Sequence, residues 1–96
     1  MPKRKSYQEE LIESLKDPIE AAEYLNAALE DGDPEVFLLA LRDVVGARGG
    51  GMTSLAEKTK LNRESLYRML SKKGNPELRS LGALLDALGL RLAVEV

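Results

Sequence analysis

The chain has 96 residues, of which 44% are hydrophobic and 31% charged, with a net charge of −2. That length supports one domain with a modest core, and the absence of cysteine excludes disulfides and thiolate metal sites. Histidine is absent too, which removes the usual zinc sites, Cys–His and Ser–His nucleophile pairs and the commonest general base. We therefore expect no enzymatic activity, no cofactor and no metal.

No apolar run approaches the roughly 18–20 residues of a membrane span, and the first residues do not resemble a signal peptide. These observations predict a cytoplasmic protein that does not associate with a membrane. Residues 1–5 hold a proline and three basic side chains with nothing to bury, which predicts a disordered tail.

Residues 6–48 are predicted to form the N-terminal helices. Each helix has a start signal, either a capping box or an N-cap residue followed by proline at the first helical position. The residues of these signals are Ser6 with Glu9, Asp17 with Pro18, and Asp33 with Pro34. Gly32 is the natural left-handed residue that ends the second helix. The third helix is apolar nearly all round, which predicts a central helix packed on several sides.

Residues 52–88 are predicted to contain a helix-turn-helix. Within 52–74 two short amphipathic patterns meet at a turn of three or four residues. Asn62 lies where the second helix should begin, and its side chain can accept a hydrogen bond from a free N–H of the first turn. Lys60 lies where this motif usually has glycine, because the backbone there is often left-handed. Lysine can adopt that conformation at a cost of roughly 1 kcal/mol.

The second helix of this motif combines an apolar inner stripe with an outer face rich in hydrogen-bond donors, which is typical of DNA recognition. Residues 52–80 carry seven basic and three acidic side chains, a net of +4, whereas residues 1–51 have a net of −5. A basic segment in an acidic chain is what binding to double-stranded DNA requires, since each neutralised phosphate releases counterions. The alternative interpretation is a helical hairpin with a solvated polar face.

Residues 49–51 are three glycines, predicted to stop one helix and to act as a hinge into the next. Asn75 with Pro76 predicts a further helix start, and Gly89 its end. Residues 90–96 alternate apolar and other side chains with a period of two, which predicts a C-terminal β-strand. Such a strand would pair with a second copy of the chain or with the sheet edge of a partner. The predicted fold is thus all-α, with about five short helices, a lambda-repressor-like helix-turn-helix and one terminal strand.

The segments DP-x-EAAEYLNAALEDGDPE, L-x-RESLYR-x-LS-x-KGNP and LGLRL resemble the addiction-module antidote proteins, which are small helix-turn-helix antitoxins of the HigA-like group. The resemblance covers the chain from about Tyr7 to Val96. It implies an antitoxin that binds and neutralises a RelE/ParE-like toxin and represses its own operon. The acidic N-terminal half suits a basic toxin, although those acids are equally explained by solubility. Tyr24, Leu15 and the terminal segment are candidates for the toxin contact.

The expected partners are double-stranded operator DNA, a cognate toxin and a second copy of the chain, because a dimer would place two recognition helices ~34 Å apart. Alternatives are a stand-alone helix-turn-helix regulator without a toxin and a module whose basic patch binds an acidic protein. We expect Arg63, Ser65 and Arg68 to reach base edges, with Asn62 divided between capping and DNA contact. Side chains that contact phosphates position the protein without specifying sequence. The predicted phosphate contacts are Thr53, Tyr67, Lys72 and Lys73.

Overall fold

The computed structural model describes residues 6–96, and that range contains six α-helices. They are α1 (Tyr7–Ser14), α2 (Pro18–Asp31), α3 (Pro34–Arg48), α4 (Met52–Thr59), α5 (Arg63–Met69) and α6 (Leu78–Ala87). The all-α class agrees with the sequence prediction, with six helices in place of about five. The predicted tail at residues 1–5 lies outside the described residues. Within residues 6–96 no helix is both long and apolar enough to cross a membrane.

The three N-terminal helices begin where the sequence predicts. The side chains of Ser6, Asp17 and Asp33 accept hydrogen bonds from the backbone N–H of Glu9 at 3.1 Å, Ile19 at 2.8 Å and Glu35 at 2.9 Å. Gly32 ends α2 in the left-handed conformation with φ of 85°. These signals act within four residues, so they do not depend on tertiary packing.

The core forms around the inner face of α3, against which α1 and α2 pack. Leu41 and Val44 of α3 are fully buried, and Leu38 and Ala40 nearly so. The prediction that α3 is packed on several sides holds only in part, because Leu39 is 53% exposed and Val36 36% exposed. One face of this apolar helix is therefore open to solvent.

Two arginines of α3 connect the N-terminal helices to the rest of the chain. Arg42 donates a hydrogen bond from Nη1 to the carbonyl oxygen of Leu70 at 2.8 Å. Arg48 donates from Nε to the carbonyl oxygen of Leu88 at 2.8 Å and from Nη1 to that of Lys16. Both guanidinium groups thus satisfy carbonyl groups at helix ends, which otherwise have no partner within their own helix.

The predicted C-terminal β-strand is wrong. Residues 90–96 have no regular secondary structure, and no strand occurs anywhere in residues 6–96. A strand needs a neighbouring strand for its N–H and C=O groups, and the described part of the chain offers none. Leu90 and Leu92 instead line a hollow of about 470 Å³ with side chains of α2 and α3, whereas Val94 and Val96 are fully exposed.

The predicted start of α6 at Asn75 and Pro76 is also wrong. The helix begins at Leu78 with Glu77 as the N-cap residue, and no side chain caps it. Pro76 is half-buried and lines two hollows, one beside the turn between α2 and α3 and one beside α5. The first turn of α6 therefore forms two residues later than the local signal predicts.

Candidate nucleic-acid interface

The two helices α4 and α5 pack against each other and are joined by the three-residue turn 60–62. Thr59, the last residue of α4, is buried and acts on both sides of this turn. Its hydroxyl donates to the carbonyl oxygen of Leu55 at 2.7 Å and accepts from the backbone N–H of Leu61 at 3.2 Å. One hydroxyl therefore closes the last turn of α4 and directs the chain into α5.

Lys60 has φ of 64° and ψ of 17°, and it is the only non-glycine residue with a positive φ in residues 6–96. The left-handed turn expected at this position is therefore present, built with lysine where glycine is usual. Its backbone N–H donates to the carbonyl oxygen of Ala56 at 3.0 Å, which completes the end of α4. The left-handed conformation of Lys60 preserves the turn between α4 and α5 but is energetically unfavourable for a residue with a Cβ atom.

Asn62 is the N-cap residue of α5, as predicted, and its Oδ1 accepts a hydrogen bond from the backbone N–H of Ser65 at 2.7 Å. This bond uses the amide oxygen and leaves the two N–H donors of the exposed Asn62 side chain directed to solvent. Capping and contact with DNA are thus compatible at this residue.

The inner side of α5 is fixed to the core. Leu66 is fully buried and Met69 is 6% exposed, and both belong to the cluster that includes Leu55 of α4. At the far end, the carbonyl oxygen of Leu70 accepts the hydrogen bond from Arg42. A side chain on the outer side of α5 is therefore presented from a rigid position.

The outer side of α5 presents most of the predicted DNA-contacting residues. Arg63 and Arg68 are exposed, Tyr67 is 56% exposed, and Ser65 is half-buried. Ser65 and Arg68 lie together at a hollow of about 310 Å³ between α5 and the start of α6, with Arg68 Nη2 3.5 Å from Ser65 Oγ. The other walls of this hollow are formed mainly by the loop before α6.

Lys72 and Lys73, predicted as phosphate contacts, are exposed and lie beyond the end of α5. The helix stops at Met69 because the hydroxyl and the backbone N–H of Ser71 both bond to the carbonyl oxygen of Arg68. Thr53 is exposed in the first turn of α4, at the opposite end of that helix from the turn into α5.

Basic side chains outnumber acidic ones in this region by seven to three. All seven basic side chains of residues 52–80 are exposed, and none forms an ion pair with another residue of the described range. The same range holds no group of acidic side chains arranged to bind a metal ion. The seven basic residues are Lys58, Lys60, Arg63, Arg68, Lys72, Lys73 and Arg79.

Two residues that orient this surface were not predicted. Arg42 follows the apolar run 36–41 of α3, and an arginine beside such a run was the available signal for a half-buried hydrogen bond. The role of the Thr59 hydroxyl depends on the turn that follows it and has no separate sequence signal. Leu15, a candidate for the toxin contact, is 1% exposed and therefore belongs to the core.

These features define a small, all-helical protein with a helix–turn–helix unit whose exposed side is basic. The model of the family described as "Probable addiction module antidote protein" matches residues 6–96, and the chain belongs to this family. An uncharacterised protein of Haemophilus influenzae (strain Rd) is 34% identical over 86 residues, which cover 90% of this chain and 87% of the relative. No solved structure matches the chain significantly.

Proposed function

We propose that this protein is the antitoxin of a toxin–antitoxin module. In the cytoplasm it binds and neutralises a RelE/ParE-like toxin, which is encoded by the adjacent gene. It also represses its own operon through the α4–turn–α5 unit. The observation that carries the DNA-binding part is the set of seven exposed basic side chains on residues 52–80, none with an ion-pair partner in the described range. Membership of the antidote family supports the toxin-binding part.

On the operator, α5 lies in the major groove with its buried side held against the protein core. Arg63, Ser65 and Arg68 face base edges, because these side chains combine a position on the outer side with donors that suit guanine and other bases. The N–H groups of Asn62 add a contact to adenine or to a phosphate. The phosphate contacts are made by Thr53, Tyr67, Lys72 and Lys73.

Two copies bind one operator. A single seven-residue helix reads few base pairs, and a two-fold dimer doubles the contacts by placing two such helices ~34 Å apart on an inverted repeat. Lys72 and Lys73 follow α5 directly and would approach the backbone on the same side of the duplex as α5.

The test is co-expression with the product of the adjacent gene, followed by a growth assay, a pull-down and binding to DNA from upstream of the operon. We expect the adjacent gene product alone to arrest growth, this chain to relieve the arrest, and the two proteins to co-purify. Specific DNA binding without toxicity or complex formation would contradict the antitoxin assignment and leave a stand-alone regulator. Absence of DNA binding, with toxin neutralisation intact, would contradict the repressor assignment.

A further inference from the structure

The exposed side of the α2–α3 pair contains an open apolar hollow of about 270 Å³. Leu39, 53% exposed, and Val36, 36% exposed, contribute the accessible apolar side chains from α3. Tyr24, Ala27 and Asp31 form the wall that belongs to α2. Exposed apolar patches that are rimmed by polar residues often mark interaction sites.

The rim of the hollow is acidic on both helices. Asp31 lines the hollow directly. Glu35 lies four residues before Leu39 and Asp43 four residues after it, so the helical period puts both on the side of α3 that Leu39 occupies. Asp43 closes one end, where its Oδ2 accepts the hydrogen bond of the Tyr24 hydroxyl at 2.7 Å.

On the two helices that carry this rim, acidic side chains outnumber basic ones. Residues 17–48 hold eight acidic and two basic side chains. The two basic ones, Arg42 and Arg48, are half-buried and donate to the carbonyl oxygens of helix ends. Within residues 6–96, the exposed acids of α2 and α3 form no ion pair.

We propose that this hollow and its rim, here called the acidic groove (Tyr24, Asp31, Glu35, Val36, Leu39 and Asp43), are the surface that binds the toxin. The inference rests on the proposed antitoxin function and names the site on the chain that performs it. The partner chemistry that fits is an apolar side chain inserted beside Leu39 and flanked by lysine or arginine.

Charge complementarity decides between possible occupants. A basic toxin, as expected from the acidic N-terminal half, matches the acidic groove, and complementary charges speed encounter. A second copy of this chain would bring two acidic rims together, and like charges juxtaposed across an interface oppose binding. The groove is thus separate in both charge and position from the basic side of α4 and α5.

The test compares two pairs of variants for binding to the purified product of the adjacent gene, measured by biolayer interferometry at two salt concentrations. The first pair is Leu39→Lys in the groove and Leu29→Lys as the matched control. Leu29 is 52% exposed, close to the 53% of Leu39, but it lines different hollows. The second pair is Asp31→Lys in the groove and Glu30→Lys, the neighbouring acid that does not line it.

We expect Leu39→Lys to weaken the complex by about 30-fold or more, as for a central interface residue. Asp31→Lys should weaken it by roughly 5- to 10-fold, with a smaller loss at high salt because the rim acts through charge. Both control variants should remain within about threefold of the wild type, since they change the overall charge equally but not the groove. Circular dichroism spectra and melting temperatures that match the wild type would exclude unfolding of the variants. Because Asp31 is exposed, Asp31→Lys also leaves the core unaltered.

If the groove variant and its control lose toxin binding equally in both pairs, while the wild type binds, the acidic groove is not the toxin-binding surface. The proposed antitoxin function would then still stand. Wild-type chain that neither binds the adjacent gene product nor relieves its toxicity would overturn the proposed function and this inference together. A change in the chain's own dimerisation in Leu39→Lys, without loss of toxin binding, would assign the groove to a second copy and also overturn the proposal.

Discussion

Arg42 of α3 and Leu70 at the end of α5 are joined by a hydrogen bond of 2.8 Å from Nη1 to the carbonyl oxygen. The bond crosses 28 residues of sequence and ties the end of α5 to the central helix. It links the packing of the core directly to the direction in which the outer side of α5 points. The stability of the core and the affinity for DNA should therefore both depend on this one side chain.

Replacing Arg42 with methionine should lower the free energy of unfolding by about 1–3 kcal/mol, because the half-buried Leu70 carbonyl loses its charged donor. Specific operator affinity should fall as well, since the end of α5 is less firmly held. Urea denaturation and fluorescence anisotropy with operator DNA measure the two effects. Arg79→Met, at an exposed arginine, is the stability control, and equal stability losses in the two variants would contradict the role given to Arg42.

Lys60→Gly should stabilise the protein by roughly 0.5–1 kcal/mol. Lys60 has φ of 64°, a conformation that is costly for a residue with a Cβ atom and free of strain for glycine. The matched control is Lys58→Gly, which lies within α4 and should destabilise by about 1 kcal/mol. Thermal and urea unfolding of both variants test the pair. A loss of stability in Lys60→Gly as large as that in Lys58→Gly would refute the strain argument.

Arg63→Ala and Lys72→Ala should separate base recognition from phosphate contact. For Arg63→Ala we expect a loss of about 1–3 kcal/mol that is confined to one operator position, because a guanidinium reads a base edge. For Lys72→Ala we expect weaker binding to all sequences and a salt slope smaller by about 1, since one phosphate contact is removed. Anisotropy titrations with operator and random DNA over a range of salt distinguish them. An equal loss on both DNAs for Arg63→Ala would assign Arg63 to the backbone.

The hydroxyl of Tyr24 should ionise only at strongly alkaline pH, which the ultraviolet absorbance of tyrosinate can follow. Burial, the hydrogen bond to Asp43 and the negative charge of Asp43 raise the pKa of Tyr24 from 10.0 to about 12. The folded protein therefore holds this proton more tightly than the unfolded chain does. The resulting stabilisation is fully present below pH 10 and is lost as the pH rises through about 12.

Tyr24→Phe tests this assignment, because it should remove the absorbance change near pH 12 and flatten the loss of stability between pH 10 and 12. Asp43→Asn should bring the titration of Tyr24 toward lower pH, since the negative charge is removed while a hydrogen-bond acceptor remains. A titration that keeps its last step near pH 12 in Tyr24→Phe would show that another group is responsible.

The parts of the fold that the sequence predicted correctly are those set by local chemistry. The caps at Ser6, Asp17, Asp33 and Asn62 act within three residues, so their hydrogen bonds form wherever the chain is helical. The left-handed turn at Lys60 was recognisable for a similar reason, from its position between two amphipathic patterns. Local signals thus predicted most of the helix boundaries, and with them the inner and outer sides of α5.

The errors arose where distant packing decides the structure. The alternation of residues 90–96 predicted a strand, but Leu90 and Leu92 line a hollow beside α2 and α3, and no strand among the described residues accompanies them. The start signal at Asn75 and Pro76 failed, since Pro76 is half-buried in the loop between α5 and α6 and the helix begins only at Leu78. The exposed face of α3 at Leu39 could not be predicted either. The sequence of an apolar helix does not show which of its faces other elements will leave uncovered.

The side chain of Arg48 has a further consequence for how the molecule opens. Its guanidinium bonds to Leu88 at the end of α6 and to Lys16 between α1 and α2, while its backbone ends α3. The ends of the first and last helices are thus both bound by the Arg48 side chain, through Nη1 and Nε respectively. Neither end can separate from α3 without breaking a hydrogen bond to this side chain. Amide protons at these two ends, 32 and 40 residues from Arg48 in sequence, should therefore exchange with solvent through one common opening event.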